Sequence, residues 1–202
     1  ATVICTDKTG TLTKNEMTVV NTKFCGGEDD EYLVKMNMAV NSSAELTTDK
    51  NGKVMALGNP TEGAMLIWLK NQNVDYYEIR NKTTIISQVP FSTERKYMES
   101  TVKLDDGRTL RFVKGARELL MKMCDELSGG MPINVVMDEL ASYQNRAFRT
   151  LGFAYQDMDK EGAKLIFLGV VGIADPIRDD VVEAIDTCRN HAGVRVIIVT
   201  GD

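Results

Sequence analysis

Two short β-branched runs, one near each end, place the strongest constraint on what this chain can fold into. Residues 2–5 (TVIC) lead into Asp7, and residues 194–200 (VRVIIVT) lead into a final Gly-Asp pair. Uninterrupted apolar runs of this length are typical of parallel strands that are covered on both faces. Residues 175–192 place apolar side chains at helical spacing just before the second run. The two ends are therefore predicted to be pieces of an α/β domain.

The middle of the chain has a different pattern. Residues 31–45 and 59–72 have helical periodicity, and the second stretch opens with Asn-Pro-Thr-Glu, a typical helix start. Alternating runs on either side of residues 105–107 (DDG) predict a β-hairpin. We therefore expect an α+β insert, built on an antiparallel sheet, to interrupt the α/β domain.

Composition sets further limits. The 202 residues are 43% hydrophobic and 26% charged, which is typical of a globular protein. The net charge of −5 gives no basic surface for nucleic acid or for an anionic membrane. The longest apolar run, residues 165–174, is too short to cross a bilayer. Because the first residue is alanine and no signal-peptide pattern follows it, we expect a fragment of a longer protein.

Asp7 is the first candidate for chemistry. A carboxylate at the C-terminal end of a parallel strand projects into the crevice where open α/β sheets bind ligands. A carboxylate there can attack phosphorus if a magnesium ion and cationic or N–H donors offset the repulsion between two anions. Gly10 permits a tight turn that aims backbone N–H groups at phosphate oxygens. An ordinary acidic surface loop is nevertheless the simpler explanation of Asp7-Lys8-Thr9 when this tripeptide is taken alone.

The longer string that begins at Asp7, DKTGTLT, resembles the phosphorylation signature of the P-type ATPases, ion pumps that form an aspartyl-phosphate intermediate. The resemblance implies that Asp7 is the phosphorylated nucleophile and that Lys8 and Thr9 are its catalytic neighbours. It also implies that Asp7 and Thr9 bind Mg²⁺, with the remaining ligands outside this chain.

The other end of the chain has two matching motifs. Thr200, Gly201 and Asp202 resemble a second catalytic motif of the family, in which the threonine gives a hydroxyl to the phosphoryl group. The segment DPIRDDV resembles the family's hinge, where the chain re-enters the phosphorylation (P) domain. This match implies nucleotide-binding roles for Asp175 and Arg178, although the same segment also suits an ordinary helix start.

The insert resembles the family's nucleotide-binding (N) domain. Phe91, in PFSTERKYM, can stack on adenine, and Lys96 can lie beside the base or the phosphates. Arg149, in FRTLGFAY, matches an arginine with which the family holds the polyphosphate. The ordinary alternatives are a core aromatic residue for Phe91 and a solvated charge for Lys96.

Two more stretches complete this resemblance. Glu62, in NPTEGAML, can accept a hydrogen bond from the adenine amino group, although a carboxylate there also favours a helix start. Lys114 and Gly115, in VKGA, give a cation and a small residue that lets a nucleotide approach the backbone, but Lys114 also suits a solvated charge. The chain has Arg117 where the family usually has proline, so we expect a looser loop there.

The resemblance covers the whole chain and implies its organisation. Residues 1–15 and 175–202 are expected to be pieces of a haloacid-dehalogenase-like P domain, and residues 16–174 the N domain. GNPTEGAML, FSTERKYM and KMNMAVNSSA look most like calcium pumps of the plasma-membrane type, including bacterial members.

This implies ATP and Mg²⁺ as cofactors, and Ca²⁺ bound by membrane helices as the transported ion. It also implies actuator and transmembrane domains in the same parent chain, in a plasma or inner membrane, with this part in the cytoplasm. The fragment is expected to bind ATP without completing turnover, because the family's later P-domain aspartates are not in it.

Two other classes remain open from the residues. A soluble phosphatase of the haloacid-dehalogenase type shares the nucleophilic aspartate, but normally has a second aspartate two positions later as acid and base. Thr9 occupies that position, which favours a long-lived phosphoenzyme. A nucleotide-binding module without catalysis would bind ATP but would never be phosphorylated at Asp7.

Overall fold

The structure is a computed structural model that describes residues 1–146 and 148–200. In chain order its strands are β1 (Val3–Asp7), β2 (Thr18–Phe24), β3 (Glu45–Thr48), β4 (Val54–Leu57), β5 (Thr83–Val89), β6 (Tyr97–Leu104), β7 (Thr109–Gly115), β8 (Glu126–Leu127), β9 (Arg149–Asp157), β10 (Ile166–Ala174) and β11 (Arg195–Val199). Its helices are α1 (Glu28–Val40), α2 (Pro60–Asn71), α3 (Tyr76–Asn81), α4 (Arg117–Met123), α5 (Ile133–Asn145) and α6 (Val181–Asp186).

The chain divides into two compact units. The terminal unit consists of residues 1–18 together with the segment from residue 175 onward, and the central unit consists of residues 19–174. Within the described parts of both units, no helix is at once long enough and apolar enough to span a bilayer.

A seven-stranded sheet forms the framework of the central unit. Its strand order is β2-β10-β9-β7-β6-β5, and β8 pairs with β10 beside this path. The pairs from β10 to β5 are antiparallel, whereas β8 runs parallel to β10. The predicted mixed fold with a large antiparallel sheet is therefore confirmed.

The predicted hairpin joins β6 and β7. Its turn contains Gly107 at a φ of 91°, a left-handed conformation that glycine adopts at no steric cost. The Arg108 N–H donates to Asp106 Oδ1 at 3.0 Å, and the Leu104 N–H donates to the Arg108 carbonyl at 2.8 Å. The turn chemistry thus sets the register of the two strands that it joins.

Side-chain amides attach α1 to this sheet. Asn37 Nδ2 donates to the carbonyls of Val113 at 3.0 Å and Ala154 at 3.2 Å. Asn41 Nδ2 donates to the Met98 carbonyl at 3.2 Å. Both asparagines are fully buried, and leaving one such group unsatisfied costs about 1–3 kcal/mol. These amides fix the end of α1 and so place the loop that follows it.

A buried apolar cluster packs α4 and α5 against the sheet. Its fully or nearly fully buried members are Cys25, Val113, Leu120, Val136, Tyr143, Ala154, Leu165, Phe167 and Val170.

In the terminal unit, β1 and β11 form the predicted parallel pair. Asp7 lies opposite Val199 in the register, so Asp7 and Thr200 leave the same edge of the pair. After Asp7 the chain makes a tight turn in which Gly10 has a φ of 79°. The sequence therefore places both motifs at one edge, as strands of this length and direction require.

Some predicted boundaries were wrong. The helix predicted for residues 31–45 ends at Val40, because the backbone of Asn41 leaves the helical conformation with a φ of −93° and a ψ of 53°. The helix predicted for residues 175–192 begins only at Val181. Its first residues instead pair with the phosphorylation-motif segment, through a β-bridge between Thr13 and Ile177.

The β3–β4 hairpin and α3 were not predicted. Both are short, and β3 alternates with little apolar content on a largely exposed surface. Strand β10 was noted only as an apolar run, because short apolar runs fit buried strands and buried helices equally well.

Candidate functional site

The residues predicted to bind nucleotide in the insert line one cavity of about 600 Å³ in the central unit. They are Glu62, Phe91, Lys96, Lys114, Gly115 and Arg149.

The sheet topology explains why such distant positions meet. Phe91 follows the end of β5, Lys96 precedes β6, Gly115 ends β7 and Arg149 begins β9. Since these neighbouring strands are antiparallel, all four of these points lie at the same edge of the sheet. Helix α2 contributes Glu62 from its first turn, which the Asn59 side chain caps.

Glu62 and Lys114 form a buried ion pair at this cavity. The Lys114 ammonium donates to Glu62 Oε1 at 2.7 Å. The two residues are only 8% and 4% exposed. Removing one partner of such a pair leaves a buried charge without compensation, so the two side chains act as a unit.

The second Glu62 oxygen is also occupied. Ser43 donates to Glu62 Oε2 through its backbone N–H and through its hydroxyl, both at 2.8 Å, and Ser42 Oγ lies 3.3 Å away. Burial alone would raise the pKa of Glu62, but the Lys114 charge and the Ser43 bonds outweigh it and hold this pKa below its ordinary value. Burial lowers the pKa of Lys114, and Glu62 opposes that change.

The other predicted side chains are accessible at the cavity. The Phe91 ring is 56% exposed, and Lys96 and Arg149 are also exposed. The cavity therefore combines a buried, neutralised ion pair with an open aromatic ring and two open cations. A planar base suits the buried ion pair and the aromatic ring, and phosphates suit the two exposed cations.

Gly115 has a steric reason to be glycine. A Cβ atom at this position would lie 2.5 Å from the Lys96 carbonyl oxygen and 2.6 Å from Tyr97 Cβ. Lys96 itself has a φ of 59°, an uncommon conformation for a side-chain-bearing residue. The close approach of these two backbones is part of what shapes the cavity wall.

Sequence reasoning missed several lining residues. They are Asn59, Thr61, Met65, Thr93, Thr150, Leu151 and Ile173. Most of them adjoin a predicted residue along the chain, so that proximity was the available signal. Ile173 adjoins no predicted residue of this cavity along the chain, and the pairing of β10 with β9 brings it there.

A larger groove of about 680 Å³ lies elsewhere on the central unit and contains none of the predicted residues. Its charged lining includes the carboxylates of Glu28, Glu31, Asp75, Glu78, Asp105 and Asp106. The Lys35 and Lys82 side chains in it are already paired with Glu31 and Glu78. Such a groove repels a polyphosphate, so size alone does not identify the nucleotide site.

The phosphorylation motif lies in the terminal unit. Asp7 is exposed, and its Oδ1 accepts a hydrogen bond from the Lys8 N–H at 2.9 Å. Thr9 and Thr200 are exposed near the same strand ends. Gly201 and Asp202 lie outside the described residues.

Asp175 and Arg178 also lie in the terminal unit, where they bind the motif loop. Asp175 Oδ2 accepts from Thr13 Oγ1 at 2.5 Å, and the Gly10 N–H donates to the same hydroxyl at 3.1 Å. Arg178 donates to the carbonyls of Thr13 and Gly10, both at 3.1 Å. We name this set of bonds the clasp.

Arg117 begins α4 at the position where proline would be a normal first residue. Its side chain is 5% exposed and donates through Nε to Glu118 Oε1 at 2.7 Å. Helix α4 therefore begins at Arg117 without a proline at that position.

Comparison with known proteins identifies the family of the chain. A family model described as "P-type ATPase, cytoplasmic domain N" matches residues 31–180. The chain thus belongs to the P-type ATPases, as its motifs predicted.

Its relatives include plasma-membrane-type calcium pumps. Over its whole length the chain is 36% identical to "Calcium-transporting ATPase PAT1" of Dictyostelium discoideum, of which it covers 20%. It is 34% identical to "Calcium-transporting ATPase 10, plasma membrane-type" of Oryza sativa subsp. japonica and 33% identical to "Calcium-transporting ATPase 2, plasma membrane-type" of Arabidopsis thaliana, covering 23% of each. The chain therefore spans about a fifth of the length of these curated relatives.

Proposed function

We propose that the central unit binds ATP and that Asp7 accepts its γ-phosphoryl group, within an ATP-driven calcium pump. The gathering of the predicted nucleotide residues in one cavity is the observation that carries the nucleotide part. Membership of the P-type ATPases and the names of the calcium-transporting relatives support the rest.

In this proposal different residues of the cavity bind the base and the phosphates. Phe91 stacks on the adenine ring, a contact worth about 1–3 kcal/mol for an aromatic side chain on a base. The buried Glu62–Lys114 pair lies against the polar edge of the base, where Glu62 is in reach of the adenine amino group. The exposed cations of Lys96 and Arg149 face the phosphates.

The terminal unit supplies the phosphoryl acceptor. An Asp7 carboxylate oxygen attacks the γ-phosphorus, and the bond from that phosphorus to the β,γ-bridging oxygen breaks, so ADP leaves with the electron pair. Mg²⁺ held by Asp7 and Thr9 would neutralise charge on the phosphate oxygens. Lys8 and the Thr200 hydroxyl stabilise the same charge, and Gly201 and Asp202 complete the second motif.

We also propose that the terminal unit is part of a haloacid-dehalogenase-like P domain. Its parallel strand pair and the acceptor residue at the end of that pair support this proposal. The clasp gives Asp175 and Arg178 a second proposed task besides nucleotide binding, which is to hold the acceptor loop in place. The transported cation is proposed to be Ca²⁺, bound elsewhere in the parent protein with its actuator and membrane-spanning parts. The two units then lie on the cytoplasmic side.

Titration of the 202-residue chain with ATP by isothermal calorimetry tests the nucleotide site. Phe91→Ala is expected to weaken binding about tenfold or more, since it removes the stacking surface. Tyr32→Ala is a matched control, because Tyr32 is 55% exposed but lines the acidic groove. The proposal fails if the unaltered chain shows no saturable binding, or if both variants bind ATP equally well.

A further inference from the structure

We propose that Ser43 is a positioning residue of the nucleotide cavity. It holds the Glu62 carboxylate, which in turn holds the Lys114 ammonium in the cavity wall. This inference rests on the proposed ATP site and adds to it a residue that does not line the cavity.

The geometry gives Ser43 a specific role. Its backbone N–H and its hydroxyl both reach Glu62 Oε2 at 2.8 Å, while Lys114 holds Oε1 at 2.7 Å. The two oxygens of the carboxylate are thus held from opposite partners, which sets the plane of the group. The Ser43 hydroxyl shares Oε2 with the Ser43 N–H and with the more distant Ser42 hydroxyl at 3.3 Å, so losing it holds the carboxylate, and with it the ammonium, less firmly.

Ser43 is itself held in place by the backbone around it. Arg80 on α3 donates to the carbonyls of Ala39 at 2.8 Å, Ser42 at 3.2 Å and Ala44 at 3.0 Å. The Ser42 hydroxyl accepts from the Ala44 N–H at 3.3 Å. These bonds hold the backbone on both sides of Ser43. The two donors of Ser43 are therefore in place before a ligand binds.

The charges around Glu62 determine how its protonation responds. Lys114 on β7 pairs directly with Glu62, and besides burial the charge of Arg80 on α3 also lowers the Lys114 pKa. Lys96 and Arg149 line the same cavity farther out. The two donors of Ser43 stabilise the ionised carboxylate, so removing the hydroxyl raises the pKa of Glu62 towards its ordinary value. Glu62 would then lose its charge at a higher pH.

The test compares Ser43→Ala, Ser43→Thr and Ser87→Ala in the 202-residue chain, by ATP titration over a range of pH. Ser43→Ala is expected to weaken binding about five- to tenfold at neutral pH. Its loss of binding on acidification should also begin at a higher pH than in the unaltered chain. Ser43→Thr keeps the hydroxyl, and the exposed position leaves room for the added methyl group, so it should restore both properties. Ser87, an exposed serine on β5, is the control that should change neither.

The pH profile separates positioning from a merely structural effect. If Ser43→Ala weakens binding equally at every pH, or lowers only the melting temperature, the positioning role is wrong. It is also wrong if Ser43→Ala and Ser87→Ala behave alike while Phe91→Ala abolishes binding. If the unaltered chain does not bind ATP at all, the proposed function fails instead, and the serine has no site to position.

Discussion

At the scale of single residues, Glu62 and Lys114 show how the fold joins residues of two separate sequence motifs. They are 52 positions apart in the chain, yet their side chains form one buried pair. Each had been predicted as a separate ligand of the nucleotide. In the fold the two side chains form one buried pair of opposite charges, in which each charge makes the burial of the other tolerable.

Lys114→Met is expected to destabilise the chain by about 3–5 kcal/mol, because it leaves Glu62 buried without its counter-charge. In the unaltered chain the lowered pKa of Glu62 gives stability that is present above the ordinary carboxyl pKa and is lost as the pH falls through the lowered value. Without Lys114, burial raises this pKa above its value in the unfolded chain, so the loss of stability should be largest near neutral pH and should shrink as the pH falls and Glu62 takes up a proton. Urea denaturation at several pH values measures both effects.

Two further variants serve as controls for this prediction. Lys103→Met, on the exposed face of β6, should change stability by no more than about 0.5 kcal/mol. The double variant Glu62→Leu with Lys114→Met should recover most of the loss, since it removes both charges. A double variant as unstable as Lys114→Met alone would contradict the account.

Sequence reasoning found the charged and aromatic residues of the cavity but not the side chains that hold them in place. The motifs around Glu62, Phe91 and Lys114 identified positions, because each motif is local in the chain. Hydrogen bonds from Ser43 and Arg80 join the loop after α1 to α2 and α3, which are distant from it in the sequence, so no local pattern predicts them.

At the scale of elements, the start of α2 depends on close packing against β4. A Cβ atom on Gly63 would lie 2.2 Å from Ala56 Cβ, far closer than two carbon atoms can approach. This glycine lies in a helix, where alanine would normally be favoured by about 1 kcal/mol. The contact with β4 therefore outweighs helix propensity, and it sets how deeply Glu62 enters the cavity.

Gly63→Ala is expected to lower stability by about 1–3 kcal/mol, since the overpacking cost exceeds the gain in helix propensity. It should also weaken ATP binding, because α2 must shift with Glu62. Combining it with Ala56→Gly returns the missing space and should restore much of the affinity. Equilibrium denaturation and calorimetric titration of the single and double variants provide the measurements. No rescue by Ala56→Gly would mean that the close contact is not the cause.

The same scale shows why some elements were predicted and others were not. The β6–β7 hairpin has a strong turn sequence and clear alternation, and it was confirmed. The β3–β4 hairpin that supports Gly63 has four-residue strands with few apolar positions, and it was missed. Helix α6 starts late because tertiary pairing at Ile177 overrides the local helix signal.

At the scale of the whole molecule, the proposed chemistry is divided between the two units. The cavity residues all belong to residues 19–174, whereas Asp7 and Thr200 belong to the terminal unit. Nucleotide binding and phosphoryl transfer are therefore expected to be separable by mutation.

Asp7→Asn, in a full-length protein that contains this chain, is expected to abolish phosphorylation by γ-labelled ATP with Mg²⁺ and Ca²⁺ present. The amide nitrogen and oxygen cannot replace the attacking carboxylate. Acid-stable, hydroxylamine-sensitive label reports the intermediate, and ATP affinity should be unchanged. Asp179→Asn is the matched control, because Asp179 is an exposed carboxylate of the same unit that pairs with Lys14. Persistent label in Asp7→Asn would falsify the assignment of the acceptor.

The clasp has a consequence for how such a chain can vary. It fastens the outgoing segment at Thr13 to the returning segment at Asp175, although 162 positions separate them. The residues between these two positions form a loop whose ends the clasp joins. The entropic cost of closing such a loop grows only slowly with its length. An insert of another size, or a short connecting loop, can therefore take the place of the central unit while the clasp of the terminal unit stays intact. The inserted unit can therefore change in length and in sequence independently of the terminal unit.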